Sequence, residues 1–130
     1  MKNIQTGISG NAEITVSKNE LAVNVGSGSL KVFATPCMVA LMEKSACNCL
    51  SGYVEDDETT VGTELNIKHV SATPVGMKVT AEAVLTEING REFVFSVKAS
   101  DESGIIGEGI HKRFLVKSEK FIQKTYSKIK

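Results

Sequence analysis

The segment Val32–Leu50, VFATPCMVALMEKSACNCL, is the stretch whose reading decides the fold. Thr35 followed by Pro36 reads as an N-cap residue and a proline in the first helical position, where the missing N–H costs nothing. The residues that follow are rich in Met, Leu, Ala, Glu and Lys, all good helix formers. Ser51-Gly52 then supplies a stop. A helix over about 36–50 is therefore expected. At roughly 100° per residue, Val39, Ala46 and Leu50 line up, with Met42 to one side and Glu43 to the other. Lys44, Ser45 and Asn48 fall on the far side. Glu43 thus lies inside the apolar stripe, where a charge is costly unless it is paired or working. The plain alternative is a stripe-edge glutamate that reaches water.

The 130 residues suit one domain with a real core, spanning 1–130. Lys+Arg and Asp+Glu are 15 each, so the formal net charge is zero. That argues against a nucleic-acid binder, which carries a basic surplus. The N-terminus MKNIQTGISGNAEITV has no apolar signal region, and no run approaches a membrane span. These features point to a cytoplasmic protein that binds no membrane. Cys37, Cys47 and Cys49 all lie in the expected helix and read as free thiols. Cys47 and Cys49 point to different sides of it, which is poor zinc geometry, so no metal is expected.

Around the helix the pattern is strand-like. AEITVSKNELAVNV reads as one interrupted strand or two. EDDE, Glu55–Glu58, reads as a solvated acidic loop. VGTELNIKHV alternates, with Val61, Thr63, Leu65, Ile67 and His69 on the face expected to be buried. MKVTAEAVLTEI is a long strand, and Asn89-Gly90 is a hairpin signal. REFVFSVKA puts Phe93, Phe95, Val97 and Ala99 on one face. IIGEGIHKRFLVK makes a last strand, and SEKFIQKTYSKIK a short basic helix, about 118–128, expected to pack on the domain. The class that follows is α+β, one long helix against a curved antiparallel sheet.

Thr35, Glu43 and His69 stand out as polar groups on or beside the apolar surfaces. A carboxylate partly withdrawn from water can act as base or nucleophile. A histidine moves protons near neutral pH, and a helix N-terminus offers N–H groups to an oxyanion. Together they suit hydrolysis of an activated acyl group. Read singly, Thr35 is a cap and His69 a half-exposed strand end.

VFATPCMVALMEKSACNCL, VGTELNIKHVSATPVG and GEGIHKRFLVKSEKF resemble the fluoroacetyl-CoA thioesterase family of hotdog-fold proteins, from about Val32 to Phe121. The resemblance implies a hotdog fold and a homodimer, with tetramers a further option. It implies an acyl-CoA substrate cleaved at a subunit interface, with no cofactor, CoA being part of the substrate. The family's catalytic threonine, glutamate and histidine fall on Thr35, Glu43 and His69. Its glycine beside the acyl group falls on Gly62 and its CoA-contacting arginine on Arg113. His111, Lys112 and Arg113 also read as a local cationic cluster suited to phosphates. The fluoroacetate enzyme's phenylalanine-bearing lid has no aromatic counterpart in GSGSLK, so a broader or different short acyl group is expected. The competing reading is a non-catalytic acyl-CoA binder or sensor on the same fold.

Overall fold

A computed structural model describes residues 1–129. The elements are β1 (Ser9–Thr15), α1 (Ala22–Val25), α2 (Thr35–Leu50), β2 (Glu58–His69), β3 (Lys78–Asn89), β4 (Glu92–Asp101), β5 (Gly104–Lys117) and α3 (Ser118–Tyr126). The strands form one antiparallel sheet in the order β1-β3-β4-β5-β2, curled around α2. This is the expected α+β hotdog architecture.

The core lies between α2 and the inner sheet face. Met38, Leu41, Met42, Ala46, Cys49 and Leu50 meet Val79, Ala81, Ala83 and Leu85 of β3. From β4, the alternation of Phe93, Phe95, Val97 and Ala99 buries all four side chains, as their spacing predicts. Ser45 is buried too, contrary to the expected far-side position, and its hydroxyl donates to the Met42 carbonyl at 2.6 Å. The cause is β1. Gly10 presses on the helix so closely that a Cβ there would collide with the Ser45 carbonyl and the Cys49 amide. The buried stripe is therefore rotated toward Met38, Ser45 and Cys49, which leaves Glu43 on its margin.

Two local readings change. The run after SKNE is not a strand. Ser17 and Glu20 close a capping box, Ser17 N–H donating to Glu20 at 2.8 Å, and a short 3₁₀ turn leads into α1. Glu58 is not solvated either. It opens β2 buried, accepts the Glu55 amide at 3.0 Å and pairs with Lys117 at 3.6 Å. Those partners, the Glu55 amide foremost, hold its carboxyl below the usual range.

The expected single face of β2 is broken by a bulge between Gly62 and Glu64. Before it, Thr60 and Gly62 pair with Leu115 and Arg113; after it, Leu65, Ile67 and His69 pair with His111, Gly109 and Gly107. Cross-strand partners share a face. Gly62 thus faces the helix side with Leu65, while Val61 is turned outward. Nor is this face buried: β2 is a sheet edge, α2 lies mainly over β1 and β3, and Leu65 is 45 % exposed.

α3 does not pack as expected. None of its residues is buried, and Ile122 and Tyr126 lie open to solvent. Among the described residues, no helix is long and apolar enough to cross a membrane.

Candidate active site

The start of α2 positions the first pair. Ala34, not Thr35, is the N-cap, and Thr35 opens the helix with Pro36 behind it. Thr35 therefore makes no cap. Its hydroxyl instead meets His69 Nδ1 at 2.7 Å. The amides of Cys37 and Met38 both turn back to the Ala34 carbonyl at 3.0 Å, so these helix-start donors are already committed.

A clasp brings the two residues together. The Phe33 amide donates to the Thr73 carbonyl at 2.9 Å, and the buried Thr73 hydroxyl donates to Asp101 at 2.8 Å. The Val70 amide donates to the Ile106 carbonyl at 2.7 Å. The approach to α2 is thereby tied to the loop leaving β2, which fixes Thr35 beside His69. Burial pushes the His69 imidazole below its ordinary value, favouring the neutral ring. Its Nε2 is buried, and the Ser71 backbone, which acts to raise the pKa, stands near it, but among the described residues no group meets Nε2 in hydrogen-bond geometry. A cleft of about 290 Å³, lined by Thr35, His69, Val32, Val70 and Ala72, opens here.

The second group lies two turns along α2. The Glu43 carboxylate, 36 % exposed, stands 3.4 Å from Arg113 NH1. Arg113 is 6 % exposed and held by β2: Nε donates to Thr60 Oγ1 at 2.9 Å and NH2 to the Thr60 carbonyl at 3.0 Å. NH1 also reaches His111 Nε2 at 3.1 Å. Gly62 borders the group, and a Cβ there would lie 2.8 Å from Glu43 Oε2.

Thr35 and His69 are thus in contact, and Glu43, Gly62 and Arg113 form a separate cluster within the one chain. The cationic patch expected at 111–113 does not form. Strand alternation turns Lys112 outward to Glu64, while His111 is buried and accepts from Arg113. The sequence reading missed the part His111 and Thr60 play around Arg113. The i, i+2 spacing of His111 and Arg113 on one strand is the signal that could have shown it. Among the described residues, no group of three or more His, Cys, Asp or Glu could hold a metal ion.

Comparison with known proteins agrees with this architecture. The family model of the fluoroacetyl-CoA-specific thioesterase FlK matches residues 16–119. The fluoroacetyl-CoA thioesterase of Streptantibioticus cattleyicolor is 39 % identical over 98 residues, covering 75 % of this chain and 70 % of that protein. A solved structure of a FlK variant in complex with acetyl-CoA superposes with TM-score 0.92 at 30 % identity, covering 98 % of this chain and 100 % of that one. A Thermus thermophilus thioesterase-superfamily protein shares the fold with TM-score 0.89 at 23 % identity, over 99 % of this chain and 95 % of its own. Fold and matches together define a thioester hydrolase of the hotdog class. Within that class, the chain belongs to the fluoroacetyl-CoA-specific thioesterase family.

Proposed function

We propose that this protein hydrolyses a short-chain acyl-CoA to free acid and CoA, at a site shared between two subunits, in the cytoplasm and without a cofactor. The carrying observation is that Thr35 holds His69 at 2.7 Å while, among the described residues, nothing meets the buried His69 Nε2 in hydrogen-bond geometry. The named relative's substrate and the acetyl-CoA complex support a CoA thioester.

The edge strand supports a dimer. Among the described residues, β2 pairs only with β5, and it carries an uncovered Leu65 on its inner face. An antiparallel pairing of two β2 edges centred on Leu65 would set His69 of one protomer against the start of β2 in the other, the Val61–Gly62 region. One subunit's Thr35–His69 pair would then lie near the other's Glu43, Gly62 and Arg113. The two clusters separated within one chain would meet across the two-fold axis. Pairing of such dimers into tetramers is a further possibility of the same fold.

In the proposed reaction, the Glu43 carboxylate attacks the thioester carbonyl or activates water to do so. The C–S bond breaks, the acyl carbon takes on the hydroxyl of water, and the CoA sulfur takes a proton through His69. Thr35 orients the imidazole, and the absent side chain of Gly62 leaves room for the acyl group. The segment Gly26–Lys31 carries no aromatic residue, which supports an acyl preference other than fluoroacetyl.

The test is thiol release from a panel of acyl-CoAs, acetyl to long-chain and aromatic, with blanks for the accessible Cys47 thiol. Glu43→Gln and His69→Ala should each lower turnover by roughly 100-fold or more with the fold intact. Tight CoA binding with no release from any member would instead favour a non-catalytic binder.

A further inference from the structure

We infer that His111 is a positioning residue, its neutral imidazole anchored on the Glu64 carbonyl and holding Arg113, and through Arg113 the Glu43 carboxylate. The inference rests on the function proposed above and adds to it a residue with no assigned role.

An arginine guanidinium only donates, so the 3.1 Å contact from Arg113 NH1 makes His111 Nε2 an acceptor. The ring proton must then sit on Nδ1, which lies 2.9 Å from the Glu64 carbonyl and donates to it. One neutral tautomer satisfies both contacts; an imidazolium would aim an N–H at the guanidinium. The ring is 0 % exposed and stacked at 28° on Phe95, centroids 6.3 Å apart, so it has no room to turn. Burial, with the Arg113 charge acting in the same direction, lowers its pKa, against the Glu64 carbonyl and Glu43, which act to raise it.

The geometry then points outward from the core. Thr60, before the bulge in β2, takes Arg113 Nε and NH2. Glu64, just after the bulge, takes His111. The guanidinium is thus gripped from both sides of the bulge. Its NH1 is shared between His111 and Glu43 Oε2, beside the space that Gly62 leaves. A purely structural network would end in the core. This one ends on a half-exposed carboxylate at the margin of α2. Removing the Nε2 lone pair orphans a buried NH1 proton, a loss that favours rearrangement of the guanidinium.

The test uses the full chain in four forms per background: wild type, His111→Leu, His111→Asn and His111→Gln, each with and without Glu43→Gln. Glutamine can place an oxygen near the Nε2 position; asparagine can keep an N–H for Glu64 but is too short to bring its own oxygen to Arg113, and serves if leucine does not fold. The expected result is a fall in kcat of about 10- to 100-fold for leucine and asparagine, as for a group displaced by about 1 Å, with KM changed much less. Glutamine should recover most of the loss. On Glu43→Gln, His111→Leu or His111→Asn should cost little more, because they act through the same carboxylate. Wild-type kcat in both variants, or their full loss repeated on Glu43→Gln, would overturn the inference. If Glu43→Gln alone leaves turnover unchanged, the site reading fails. The crystal structure of the His111 variant then decides the link: Arg113 still against Glu43 overturns it, and a displaced guanidinium supports it.

Discussion

Gly62→Ala tests the Glu43 cluster with a single methyl group. The added carbon would sit 2.8 Å from Glu43 Oε2, 3.3 Å from His111 Cε1 and 3.4 Å from Arg113 NH1. Gly62 is not at positive φ, so its backbone accepts alanine. Fewer unfolded conformations should then favour the fold by about 0.4–1 kcal/mol. Against this, Glu43 must retreat by several tenths of an ångström or more, and a carboxylate forced off its rotamer costs about 0.5–1.5 kcal/mol. The Glu43 carboxylate is the half-exposed far end of a flexible side chain, tied at Oε2 to Arg113, whereas His111 is locked in the core, so the glutamate is the group that gives. The two stability terms nearly cancel, and the denaturation midpoint should stay close to that of the wild type. Catalysis has no such offset. A reacting group misplaced by about 1 Å can lose on the order of 100-fold, so kcat should fall by about 10- to 100-fold. Steady-state thiol release on the preferred acyl-CoA, beside urea denaturation, reads both quantities. Full turnover with Glu43 visibly displaced would refute the reasoning, because the carboxylate position would then be irrelevant.

Gly10→Ala should have the opposite profile. Its methyl group meets the Ser45 carbonyl and Cys49 amide, backbone atoms of α2 that cannot step aside. A loss of about 3 kcal/mol in denaturant unfolding is expected, at the upper end for overpacking, and an unchanged midpoint would disprove the close approach. The acid side of stability should report the buried imidazoles. His69 and His111 are both held below the ordinary value of 6.5, by burial first in each case. The unfolded chain takes up those protons more readily than the fold. Stability is therefore fully present above about pH 6.5 and declines as pH falls below it toward the depressed folded values. A denaturation midpoint flat from pH 8 to 5 would contradict that sign.

What was legible in the sequence depended on how local its cause was. Alternation along β4 foretold Phe93, Phe95, Val97 and Ala99 because a pleated strand needs only its own residues to define a face. Thr35-Pro36 announced the helix, since proline's fixed φ acts within one residue. The threonine hydroxyl was misread as a cap. Its true partner, His69, is brought by the clasp through Thr73 and Asp101, a contact no local pattern encodes. Ser45 looked solvent-facing until a glycine on β1 removed the side chain that would have kept the strand away. The cationic reading of 111–113 counted charges along the chain and overlooked the two-residue period that separates Lys112 from its neighbours.

The extra residue at Thr63 gives β2 two reading frames. Upstream, Thr60 and Gly62 face Leu115 and Arg113; downstream, Leu65, Ile67 and His69 face β5 in the opposite parity. Deleting Thr63 would join the two halves in one ladder, Gly62 still opposite Arg113 and Leu65 still opposite His111, so the glycine beside Glu43 and the histidine beside Thr35 would both keep their face. Thr63 is therefore the place in β2 where losing one residue leaves both halves facing as they do now, whereas the same loss well away from the bulge would turn part of the strand over.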